Sequence, residues 1–185
     1  MKIIQTKRRK SYRLRHHDYS SDGFYFVTIC VKNLVLTFGE ISNGNVMLND
    51  AGITAREEWT KTPKIRKNVR LDEFIIMPNH IHGIIQIDNS LLSKPKPGRG
   101  VLQYAPTYGV DPKFISPQNN LGSMIRGFKS STTKRIRSAG LLNFQWQRNY
   151  YDRVVRNEKE LSAIRDYIKR NPLHWDHDQY HPENI

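Results

Sequence analysis

Cysteine is nearly absent from this chain: Cys30 is the only one in 185 residues. With no second thiol there is no internal disulfide. Cys30 lies in the apolar run "FYFVTICV", where a small hydrophobe in a reducing compartment is the ordinary reading. Long apolar runs are missing too. No stretch approaches the roughly 18 apolar residues of a membrane span. The start, "MKIIQTKRRKSYRLRHH", lacks the apolar segment and small-residue cleavage site of a signal peptide. A cytoplasmic, nucleoid-associated protein with no membrane contact is expected. Acid is scarce as well. Seventeen Asp+Glu against 30 Lys+Arg leave a formal charge of +13 and a pI near 10.0, a balance that favours a polyanionic partner such as nucleic acid.

The basic excess is unevenly distributed. Residues 1–17 hold seven Lys/Arg and no acid, and residues 1–20 read as a basic arm able to touch phosphates. Between Asp111 and Asp152 there is no acidic residue but again seven Lys/Arg. Within that stretch "NNLGSMIRGFKSSTTKRIRSAG" has helical spacing, with Leu121, Met124, Ile125, Phe128 and Ile136 on one side. Arg126, Lys129, Lys134 and Arg137 fall on the other, and Arg135 breaks the pattern near the apolar face. Ordinary surface helices mix their charges, so this one-signed face reads as a nucleic-acid contact.

Length suits one domain, about 21–175, followed by a polar tail at 176–185. "FYFVTICV" is an aromatic and β-branched strand. A hairpin centred on Ser-Asn-Gly-Asn follows, then a helix capped by Asn49 or Asp50 that runs to about Thr62 before Pro63. "VRLDEFIIM" and "HIHGIIQI" form neighbouring strands around the Pro78-Asn79 turn. The stretch 90–118 is rich in Pro, Gly, Ser and Lys and reads as a long loop. The last helix lies in "RNEKELSAIRDYIKRNP", with Asn157 and Glu160 at capping-box spacing and Pro172 as the stop. This order predicts an α+β fold: a ferredoxin-like antiparallel sheet with helices packed mainly on one face.

Two imidazoles, His80 and His82, sit one residue apart in an otherwise apolar strand. Strand side chains have a period of two, so both point to one face and make a natural pair of metal ligands. The alternative is two partly buried histidines with ordinary hydrogen bonds. A third ligand must then come from elsewhere. Tyr167 and Asn171, four residues apart on the last helix, could present a phenol and an amide oxygen together. Pro172 disfavours helical geometry at Asn171, and the Tyr150-Tyr151 pair is a visible rival to Tyr167. A histidine-triad hydrolase would need a third histidine at the position of Ile84.

"MPNHIHGII" and "WQRNYYDRVVRNEKELSAIRDYIKRNP", in that order, resemble the two signature blocks of the HUH single-tyrosine transposases, in particular the REP-associated (IS200-like) branch. The resemblance runs from about Phe24 to Trp175. It implies a helix-borne nucleophile, Tyr167, carried over the histidines, with His80 and His82 holding Mg2+ or Mn2+ and Asn171 as a further ligand or its orienter. It further implies that Trp146, Gln147 and Arg148 serve packing and DNA contact. The implied activity is metal-dependent cleavage and rejoining of single-stranded DNA at hairpin-flanked sites, through a 5′-phosphotyrosine, by a monomer or homodimer. Tyr104, Tyr108 or Trp146 would stack bases. A domesticated or non-catalytic nucleic-acid-binding protein is the alternative. Surface ligands of this kind are expected to be replaceable without loss of the fold.

Overall fold

The computed structural model describes residues 17–92 and 119–184. The rest of the N-terminal arm, Tyr104, Tyr108 and most of the 90–118 loop lie outside the described residues. The strands are β1 (Gly23–Cys30), β2 (Gly39–Ser42), β3 (Asn45–Leu48), β4 (Val69–Ile76), β5 (His80–Ile87) and β6 (Tyr151–Val155). The helices are α1 (Asp50–Thr60), α2 (Thr62–Ile65), α3 (Leu121–Ser138) and α4 (Glu158–Arg170). An antiparallel sheet runs in the order β4-β5-β1-β6, while β2 and β3 form a separate hairpin. The first and third strands of the main sheet are thus central neighbours, the split βαβ arrangement expected from the element order.

Alternation along β1 and β5 supplies two different faces. On one, Tyr25, Val27, Ile29, Ile81, Ile85 and Ile87 pack with Trp59 of α1 and with Leu121, Met124, Ile125, Phe128 and Ile136 of α3 in the main core. On the other, Ile84 is covered by Leu161 and Ile168 of α4, with Phe24, Phe26, Ile75 and Ile164 around them. Two long helices therefore share one face, and α4 with the segment that follows it lies on the face that carries the histidines.

Gly83 sits opposite Trp59, where an added Cβ would lie 2.5 Å from the indole Cζ2. Overpacking of this kind costs about 1–3 kcal/mol, so Gly83→Ala is expected to lower the urea midpoint without changing the slope. An unchanged midpoint would show that Trp59 can move aside.

The local signals hold with small displacements. Asn49, Asn120 and Asn157 cap α1, α3 and α4 by accepting from the N–H groups of Gly52, Ser123 and Glu160. Glu160 accepts from the N–H of Arg156 rather than from that of Asn157, one residue off a capping box. Asn43 and Gly44, both at positive φ (49° and 71°), turn the β2–β3 hairpin. The expected helix to Thr62 ends at Thr60 and restarts as α2, because Pro63 fits a first turn and not a helix interior. Arg135 breaks the basic face of α3 because it pairs with Glu57 and Glu58 of α1, at 2.6 and 2.7 Å.

Candidate active site

β5 turns His80 and His82 onto the α4 face, their rings 4.5 Å apart. Asn79 sets the tautomer of His80. Its Nδ2 donates to the carbonyls of Leu34 and Tyr180, so its Oδ1 is the acceptor facing Nδ1 of His80 at 2.8 Å. Nδ1 therefore carries the proton, and Nε2 keeps its lone pair. That Nε2 is buried and has no hydrogen-bond partner. His82 has Nδ1 2.9 Å from the Thr28 hydroxyl and Nε2 3.1 Å from that of Tyr167. Burial pushes the His80 imidazole down to about 3. Burial, with His80 beside it, also holds His82 well below the usual range. Both rings are neutral near pH 7, the form in which imidazole binds a metal.

Tyr167 reaches His82 because α4 is held at one angle. Leu161, Ile164 and Ile168 seat its apolar stripe on the sheet. Arg165 clamps Asp72 through Nε and Nη2, at 2.8 and 2.6 Å. Asp72 stands where the β4–β5 register shifts between Leu71 and Phe74. A bidentate guanidinium–carboxylate pair fixes orientation as well as distance. The phenol, 43 % exposed, is pushed up to about 12 by burial and by the charge of Asp178. Of its rivals, Tyr150 packs against the main core. Tyr151 lines the same cleft of about 650 Å³ as Tyr167, His82, Phe26, Thr28 and Arg153.

Asn171 keeps right-handed helical geometry (φ −55°, ψ −40°) despite Pro172, because the chain continues into a 3-10 turn, Asn171–His177. Its Oδ1 is buried without a hydrogen-bond partner. Its Nδ2 donates to Asp178 Oδ2 at 2.8 Å. Asp178 is the residue that sequence reasoning passed over. One ligand atom each from His80, His82 and Asp178 lie within 4.8 Å of one another, so the three could hold a metal ion. Nothing local marks Asp178: it stands in a short polar stretch, and only the path of the tail brings it to β5.

The basic residues divide. Lys129 donates from Nζ to the carbonyls of Gln147 and Asn149, at 2.8 and 2.9 Å, and burial pulls its ammonium down to about 8. Arg137 donates to the carbonyl of Phe144 from Nε and Nη2. Both pin the segment that connects α3 to β6. The Trp146 ring is half-buried among Phe38, Phe128 and Phe144. Its backbone bridges Val31, which makes it a packing residue instead of a free base-stacking platform. Arg126, Lys134 and Arg148 are exposed.

The four-stranded antiparallel sheet with its packed helices has a fold like that of the IS200/REP-associated tyrosine transposases. A solved REP-associated tyrosine transposase bound to a REP hairpin superposes on 88% of this chain and 74% of its own, with TM-score 0.54 and 18% identity. No family model matches the sequence. An uncharacterized protein of Haemophilus influenzae (strain Rd) is 40% identical over 172 residues, 92% of each chain. The chain belongs to the family of that protein.

Proposed function

We propose that the protein cleaves and rejoins single-stranded DNA through a covalent bond to Tyr167, with a divalent cation, Mg2+ or Mn2+, at the histidine pair. One observation carries this reading: the Tyr167 hydroxyl is hydrogen-bonded to His82 Nε2 at 3.1 Å, beside a buried and unpartnered His80 Nε2. Two neutral imidazoles and the orphaned Asn171 Oδ1 are the donors expected around a divalent cation. The cation would supply Lewis-acid polarisation of the scissile phosphate and its leaving oxygen.

The residues of the chain supply the rest. The Tyr167 Oη attacks phosphorus in line, the bond to the 3′ oxygen breaks, and a 5′-phosphotyrosine and a free 3′ hydroxyl result. With its pKa near 12, the phenol is neutral at pH 7, so its proton leaves as the new bond forms. Attack by a 3′ hydroxyl reverses the step and joins a strand. The 650 Å³ cleft beside Tyr167 is lined by Phe26, Tyr151 and Arg153, side chains suited to a nucleotide rather than to a duplex. The hairpin-bound transposase of the same fold favours a hairpin next to the cleaved strand.

The test is incubation with Mn2+ and labelled single strands that carry a hairpin and its flanks. A denaturation-resistant protein–DNA adduct is expected, and cleavage without any adduct would overturn the tyrosine mechanism. The basic surface has its own expected result. Lys134→Ala with Arg148→Ala should leave stability within about 0.5 kcal/mol and reduce the salt slope of DNA binding by about one to two units. Lys129→Ala should instead destabilise the fold by about 1–3 kcal/mol through two lost hydrogen bonds. Urea titrations and binding at two or more salt concentrations check both. An unaltered slope would reduce Lys134 and Arg148 to solvated surface.

A further inference from the structure

The segment 172–184 takes no part in the chemistry above, yet several of its groups converge on the histidine pair. Asp178 is buried at 7% exposure, and the ion pairs of the described residues do not include it. A carboxylate held next to two neutral imidazoles without a cation is costly to bury. Its oxygens are nonetheless fixed: Oδ2 accepts from Asn171 Nδ2 at 2.8 Å, and Oδ1 from the N–H of Tyr180 at 2.7 Å. Each oxygen retains a lone pair beyond those bonds. Tyr180 completes the link. Its carbonyl accepts from the same Asn79 that orients His80, its ring lies 4.7 Å from that of His80, and with Gln179 it lines the Tyr167 cleft.

We infer that Asp178 is the charged ligand of the cation site, and that cation binding and docking of the 178–180 segment are one equilibrium. The inference rests on the cation reading of the site given above. The donors on β5 and at Asn171 are all neutral, so without Asp178 the cation would be held by dipoles alone. With Asp178 the protein contributes one negative charge. A divalent cation then leaves the centre at +1, attractive to a phosphodiester. Imidazole with carboxylate oxygen suits Mn2+ or Mg2+ rather than a thiolate-seeking metal. The same bonds that aim the carboxylate build the cleft wall, so a chain without cation has a looser wall beside Tyr167.

The test uses the full chain and no DNA. Free Mn2+ is counted by electron paramagnetic resonance, and amide exchange is followed by mass spectrometry with and without Mn2+. Asp178→Asn is expected to weaken Mn2+ binding at least tenfold, whereas Asp176→Asn, an exposed acid on the same segment, should not. Mn2+ should slow exchange in 178–184 at least tenfold in the unaltered chain and leave it unchanged in Asp178→Asn. Exchange in β1 and β5 reports whether each variant is folded. Asp178→Glu, which keeps the charge, should bind Mn2+ better than the asparagine variant.

Mn2+ binding by Asp178→Asn within twofold of the unaltered chain would overturn the inference. So would a tail indifferent to Mn2+, or a glutamate variant no better than asparagine. An adduct at Tyr167 together with normal Mn2+ binding by Asp178→Asn would sink the inference alone. Asp178-dependent Mn2+ binding without any adduct would sink the tyrosine reading alone.

Discussion

Tyr167→Phe is expected to bind a hairpin-flanked oligonucleotide as the unaltered chain does and to form no covalent adduct with it. The substitution removes one oxygen, the proposed attacking atom, and with it the 3.1 Å hydrogen bond to His82 Nε2. The ring can keep its edge contact with Phe26 (6.2 Å between centroids) and its place beside His82 (5.2 Å), so α4 has no reason to shift. Loss of the nucleophile lowers the rate by roughly 1000-fold or more. Tyr151→Phe is the sharper of two controls, because Tyr151 lines the same cleft as Tyr167. It and Tyr150→Phe should still form the adduct with Mn2+ on a denaturing gel. An adduct from Tyr167→Phe would assign the nucleophile elsewhere. Cleavage by Tyr167→Phe without an adduct would point to activated water.

The second large effect is at the ligands. His80→Ala or His82→Ala should abolish cleavage and Mn2+ binding, but not as harmless surface changes. The sequence led to the expectation of exposed ligands whose removal spares the fold, and the structure corrects it: His80 and His82 are 0% and 1% exposed. Alanine at position 80 would leave a cavity and strip Asn79 Oδ1 of its partner; at position 82 it would strip the Thr28 hydroxyl. A stability cost of about 2–4 kcal/mol is expected in each case. His80→Gln and His82→Gln, which retain some volume and a polar end, are therefore the cleaner variants. Calorimetry should show Mn2+ affinity lowered at least 100-fold in both, with native far-ultraviolet dichroism. Unchanged Mn2+ binding would remove the ligand assignment.

The legible part of the site lay on single elements. His80 and His82 share a face by strand period, and Tyr167 and Asn171 share one by helix period, so either pair can be read from spacing. The match to the transposase signature joined the two. The caps at Asn49 and Asn157 and the Asn43-Gly44 turn followed from local chemistry in the same way, whereas β6, the fourth strand of the main sheet, was not read from the sequence. The fate of the basic residues was not legible. A helical wheel cannot distinguish a lysine in solvent from Lys129, whose ammonium is spent on two carbonyls contributed by residues 147 and 149.

By itself, then, the sequence determined the faces of its strands and helices, the balance of charge, and the family signature, because each depends on residues a few positions apart. Tertiary structure decided that α4 packs opposite α1 and α3, that the histidines are buried, and that Asp178 joins them. Those outcomes depend on contacts between residues almost 100 positions apart, such as Asp178 with His80 and His82, or Arg165 with Asp72. No local periodicity encodes such a meeting; it is set when the apolar faces close on one another and carry their polar neighbours with them.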